Sequence, residues 1–225
     1  MTLSVSEAVA SRRSIRAFLD TPVERTVLEQ VLETAQRAPS GGNLQPWNAV
    51  ALAGAPLARL HAQVAEALGQ GRAGRSPEYD IYPAGLHGVY EERRVGVGED
   101  MYRALQIARD DKQARLGQFA RNFRGFDAPA LLLVHTPRYM GPPQWSDIGM
   151  WLQTVMLLLR ERGLDSCPQE AWAMYGRQVR EAAAIPGDHV FFCGLAIGYR
   201  DPDAPVNQFA VPRAPLSEVV RFDGF

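Results

Sequence analysis

Arg12-Arg13-Ser14-Ile15-Arg16, followed downstream by Pro39-Ser40-Gly41-Gly42-Asn43-Leu44-Gln45-Pro46-Trp47, is the part of the chain whose reading decides the fold. Three guanidiniums and a hydroxyl within five residues suit an oxyanion better than a metal or a hydrolytic nucleophile. Arginine keeps its charge at any working pH and makes short, charge-assisted bonds to phosphate. The second run adds two glycines and two amide side chains, which let backbone approach a polar ring system closely. Each run also has a plainer reading, the first as a solvated basic turn and the second as a helix-ending turn before a strand.

Around these runs lies an ordinary globular composition. The chain has 225 residues, 46% hydrophobic and 22% charged, enough to bury a sizeable core. A net charge of −1 argues against nucleic acid or an anionic membrane surface as partner, since both need a basic excess. No stretch approaches the ~18 apolar residues of a membrane span, and no signal-peptide pattern opens the chain. Cys167 and Cys193 lack metal-ligand spacing and read as buried thiols in a reducing compartment. The expected location is the cytoplasm.

Ser4-Val5-Ser6-Glu7 is a capping box that opens a short helix ending before Arg12, and Thr21-Pro22-Val23-Glu24 repeats the signature ahead of a helix reaching about Arg37. Trp47–Leu52, Ala130–Val134 and Val190–Ile197 read as buried strands. Pro56–Leu68 and Ile148–Arg162 read as helices, the latter capped by Ser146 and closed by Gly163. Glu99–Phe123 suggests two helices broken near Asp110, whereas Gly69–Gly98 has no clear periodicity and reads as a surface excursion. Helices and strands mix without strict alternation, which favours α+β.

In combination these runs resemble the FMN-binding nitroreductase family, and the resemblance extends to the C-terminus. It implies an α+β fold with a central mixed sheet flanked by helices, in one domain over 1–225, and an intertwined homodimer; it is weakest over Gly69–Gly98, and the composition there places a lid or excursion within 69–123. Arg12 and Ser14 match phosphate ligands, Arg13 contributes through its backbone, and Arg16 matches a cation beside the pyrimidine end of the flavin. Pro39, Ser40, Gly41 and Asn43 match a segment that touches the partner subunit's flavin. Pro168, Gln169 and Glu170 match a segment that covers one flavin face and offers a backbone N–H to N5. Arg213 matches a second phosphate ligand near the C-terminus. Two departures stand out: Ala171 replaces a common Gly, and Val211 replaces a common Lys.

The implied activity is a ping-pong oxidoreduction, in which NAD(P)H reduces FMN and a nitroaromatic or quinone then takes the electrons from the same pocket. Tyr82, Tyr90, Phe119 and Phe123 are candidates for stacking on that acceptor, with Phe123 singled out among them, against the plainer reading of core or lid packing. No side chain is assigned as catalytic, because the flavin carries the chemistry. Reductive dehalogenation or flavin destruction at the same site, or a non-catalytic flavin-binding role, are the alternatives. His61, His87, His135 and His189 show no ligand spacing, and Gly96-Val97-Gly98 lacks the rest of a dinucleotide fingerprint.

Overall fold

The computed structural model describes residues 3–225; residues 1–2 of the expected 1–225 domain lie outside the described residues. Four strands, β1 (Asn48–Ala53), β2 (Ala130–Pro137), β3 (Asp165–Gln169) and β4 (His189–Gly198), form one sheet in the order β1-β2-β4-β3. β2 is interior and buried almost throughout, as its unbroken apolar run requires of a strand covered on both faces. Side chains alternate across a strand, and β2 shows it. Leu131 and Leu133 enter one hydrophobic cluster with Ile15, Leu60 and Trp172, while Leu132 and Val134 enter another with Val31, Trp151 and Leu159.

Helices α1 (Val5–Ser11), α2 (Arg25–Ala35), α3 (Gly54–Gly69), α4 (Gly88–Ala104), α5 (Lys112–Ala120), α6 (Pro142–Glu161), α7 (Gly176–Ala183) and α8 (Leu216–Val219) surround the sheet. α2 and α6 supply the cluster on one face, and α3 and α7 supply the other. A bulge pairs Val134 with Cys193 but His135 with Phe191, leaving Phe192 as the extra residue. It reverses the facing of β4, so that Phe191 and Ala196 share one cluster while Cys193 and Leu195 share the other. Gly194 is required on this strand, because a Cβ there would lie 2.7 Å from Trp172 Cδ1.

Among the described residues all neighbouring strands pair antiparallel, so the sheet is antiparallel rather than the mixed sheet expected; parallel pairing occurs outside it, at the isolated bridges Ser14–Ser166 and Ser76–Tyr175.

Several boundaries differ from the sequence expectation. α2 starts at Arg25 without a side-chain cap, since Thr21–Glu24 is an extended lead-in. α6 starts at Pro142, ahead of Ser146, because Pro142 fits a first helical turn that needs no N–H and Gln144 caps Gly141. α4 begins inside the stretch read as an excursion, and it buries none of its residues; a helix without a buried face has no apolar period to read. β3 has no apolar run to read as a strand, because Pro168 and the three polar residues Asp165, Ser166 and Gln169 interrupt it, which an edge strand tolerates. Both cysteines are free and buried. Among the described residues no helix is long and apolar enough to cross a membrane.

Candidate cofactor and substrate cleft

α1 ends at Ser11, and Arg12 turns the chain into an extended path with φ −66° and ψ 128°. That path runs along the edge of β3: Ser14 bridges Ser166, and the Ile15 N–H donates to Ser166 O at 3.1 Å. Extended geometry sends alternate side chains opposite ways. Ile15 and Ala17 are therefore buried, while Arg12, Ser14 and Arg16 share the outward side.

These three residues, with Arg13 and Arg213, line a cavity of about 580 Å³. Burial pulls the Arg12 guanidinium below its usual pKa, and the nearby charge of Arg213 adds to the effect. Among the described residues none of Arg12, Arg13, Arg16 and Arg213 is ion-paired with a carboxylate. Unneutralised guanidiniums lining one cavity, with that of Arg12 partly desolvated, form an anion site by charge alone. A terminal phosphate fits it. The Arg213 side chain is folded back on its own backbone, donating to Val211 O and Pro212 O at 3.1 Å each.

A second cavity of about 570 Å³ shares Arg16 and Val97 with the first. Pro168, Gln169, Glu170 and Ala171 line it, together with Phe119 and Tyr82. Gln169 is 3% exposed, and its amide is spent inside the protein. Its Nε2 donates to Asn122 O at 2.9 Å, and its Oε1 accepts from Trp172 Nε1 at 3.2 Å. The side chain is thus a lock, and backbone is what this segment offers the cavity. Glu170 opens a 3-10 turn, Glu170–Met174, and the first N–H groups of such a turn have no partner within it. Those unclaimed donors suit a polar ring edge such as that of a flavin. Desolvation pushes the Glu170 carboxyl pKa up.

Residues behind the two cavities were not singled out by sequence reasoning. Asp165, 2% exposed, accepts from Arg160 at 3.0 Å and twice from Arg200 at 2.7 Å. Arg160 also reaches Ser11 Oγ at 3.5 Å, beside Arg12. Asn207 accepts the Arg16 N–H at 2.9 Å and donates to Ala17 O and Asp201 O. These contacts clamp the arginine segment to β3 and to the C-terminal stretch. Each partner is a common polar residue far away in sequence, so no local signal marks it. Burial raises the Cys167 thiol pKa and outweighs the opposing pull of Arg16, Ser14 and Arg12.

The other expected site residues lie elsewhere. Pro39, Ser40, Gly41 and Asn43 line neither cavity. They form a surface turn held by the Gly41 N–H on Asp147 Oδ2 at 3.2 Å and the Gln45 N–H on Ser40 Oγ at 2.9 Å. Phe123, expected as an acceptor contact, is 2% exposed in the core, edge-on to Tyr175 at 4.8 Å and Trp172 at 5.9 Å. Phe119 takes the position on the cleft wall.

The model of the Nitroreductase family matches residues 9–199. The chain is 56% identical to the FMN and NADPH-dependent nitroreductase NfnB from sphigopyxis sp. strain HMH, covering 99% of this chain and 100% of that one, with a TM-score of 0.98. The FMN-dependent nitroreductase NfnB from Mycobacterium smegmatis in complex with NADPH is 32% identical, with 97% of each chain covered and a TM-score of 0.92. A 4-nitrobenzoate reductase of Pseudomonas putida is 34% identical over 228 residues, 100% of this chain and 98% of that protein.

Proposed function

Since the chain belongs to the nitroreductase family, we propose that it is an FMN-dependent NAD(P)H oxidoreductase that reduces nitroaromatic compounds. The observation that carries this reading is the adjoining pair of cavities. One is lined by arginines without carboxylate partners, and the other is floored by the internally locked segment Pro168–Ala171.

Arg12, Ser14 and Arg213 hold the phosphate of FMN, with Arg13 contributing backbone. Bound FMN supplies two-electron transfer from a reduced nicotinamide to the acceptor. Arg16, shared by both cavities, places positive charge where reduction adds negative charge. The Pro168–Glu170 segment closes one side of the site and offers unclaimed N–H groups. Donor and acceptor therefore use the remaining opening in turn, which gives ping-pong kinetics. Quinones fit the same opening as flat acceptors.

The Pro39–Asn43 turn acts in a partner subunit's site, which explains its exposure and its distance from both cavities. Assembly as a homodimer also accounts for α4, which buries none of its residues here, and for the exposed Val5, Val9, Met150 and Phe222. Patches of this kind are covered in obligate interfaces. The chain acts as one domain, with residues 69–123 as the lid, in the cytoplasm.

The test is purification with FMN, a visible spectrum, and NADPH oxidation driven by 4-nitrobenzoate or nitrobenzene. Flavin absorbance, parallel double-reciprocal lines and a mass near twice 24.8 kDa are expected. Colourless protein that takes up no FMN overturns the reading.

A further inference from the structure

One cation in the cleft is not among the residues assigned above to FMN. Arg94, on α4, has its Cζ 5.2 Å from the centroid of the Tyr82 ring, and both side chains line the cavity floored by Pro168–Ala171. Among the described residues its one ion pair is with Glu91 at 3.6 Å, between side chains 41% and 49% exposed. A pair that long and that wet is weak, and it leaves most of the five guanidinium donors free. Stacking on an aromatic face restricts the guanidinium without using its N–H groups. The other charged groups lining this cavity are Arg16 and Glu170, and neither forms an ion pair with Arg94. Phe119 and Tyr102 add flat aromatic surface to the wall. Flat apolar surface beside a cation with free donors is the complement of an aromatic acid.

We propose that Arg94, steadied by Tyr82, is an oxyanion subsite that selects nitroaromatic acceptors bearing a ring carboxylate. The proposal rests on the nitroreductase reading above. The same chemistry has a second source in the 2′-phosphate of NADPH, and the two are separable.

The experiment uses FMN-loaded wild-type protein, Arg94→Gln and Arg94→Lys. Benzoate and benzamide, which cannot be reduced, are titrated against the oxidised protein through the change in flavin absorbance. Wild type should favour benzoate. Arg94→Gln should lower the benzoate-to-benzamide affinity ratio about tenfold, the lower end for a charged hydrogen bond in a partly exposed place. Arg94→Lys should restore most of it. The kcat/KM ratio for 4-nitrobenzoate over 4-nitrobenzamide should fall in step, through KM rather than kcat, since the contact is remote from the nitro group. A tenfold loss of NADPH-over-NADH preference with both acid-to-amide ratios intact overturns selection of the acceptor carboxylate and assigns the oxyanion subsite to the 2′-phosphate instead. Constancy of all three ratios overturns the subsite. Wild-type protein that binds FMN but reduces no nitroaromatic overturns the functional reading instead, and the benzoate titration still decides the subsite.

Discussion

Replacing Asp165 by Asn tests whether the arginine-lined end of the cleft is held in shape from behind. Asp165 is 2% exposed. Its Oδ1 accepts from Arg160 at 3.0 Å and from Arg200 at 2.7 Å, and its Oδ2 accepts from Arg200 Nε at 2.7 Å. Asparagine keeps the volume and one acceptor, but it sets an NH₂ against a guanidinium and removes the only negative charge between two positive ones. Breaking a buried pair costs about 3–5 kcal/mol. Here the arginine side chains are 17% and 32% exposed and can recover water, so about 2–3 kcal/mol is expected. Arg160 also steadies Ser11 beside Arg12, so FMN should bind more weakly, by about 1 kcal/mol. Urea unfolding at fixed protein and FMN concentrations, with slopes compared, reads the stability, and quenching of free FMN fluorescence reads the affinity. A variant with the wild-type midpoint and affinity refutes the clamp.

Arg12→Ala or Arg213→Ala should each weaken FMN binding by about 1.5–3 kcal/mol, while riboflavin, which lacks the phosphate, binds them as it binds wild type; an equal loss for both ligands removes the phosphate assignment. Arg16→Ala should lower the reduction potential of the bound flavin by about 30 mV, equivalent to about 1.4 kcal/mol on the reduced form; a potentiometric titration that matches wild type shows that Arg16 does not see the ring. His135, 6% exposed, meets His189 with Nδ1 to Nδ1 at 2.7 Å, and burial, then the charge of His189, lowers its pKa to about 4. The folded state keeps His135 neutral where the unfolded chain, with a pKa of about 6.5, takes up a proton. Its contribution is therefore complete above pH about 6.5 and is lost as pH falls through about 4, up to about 3 kcal/mol in all. His135→Gln should flatten the fall in urea midpoint across that window, and an unchanged pH slope would exclude His135 as its source.

What was legible in the sequence has a local cause. The Ser4–Glu7 capping box is closed in the structure by reciprocal bonds three residues apart. The apolar runs of β2 and β4 announce strands covered on both faces, and the stripe Leu57, Leu60, Val64 is buried on α3 as its spacing requires. Arg12, Ser14 and Arg16 were visible as a charge cluster, and an extended backbone was enough to put them on one side. The resemblance to flavoproteins added Pro168–Glu170 and Arg213, which no local pattern brings to the same cleft.

The remainder depended on the path of the chain. The part of α4 before Glu99 could not be read because its exposed surface carries no period, and Phe123 was misplaced because an aromatic near a cleft looks the same in sequence whether it faces in or out. Gln169, Asn122 and Trp172 lock the floor across a separation of 47 residues between Gln169 and Asn122. Asn207 holds Arg16 from 191 residues away, and His135 meets His189 across a bulge that only strand pairing creates. Such contacts join ordinary polar residues whose identity carries no address. Sequence determined which residues could bind an anion or cross the core; tertiary structure decided which polar groups are buried together, because burial is what makes an unpaired charge or amide too costly to leave alone.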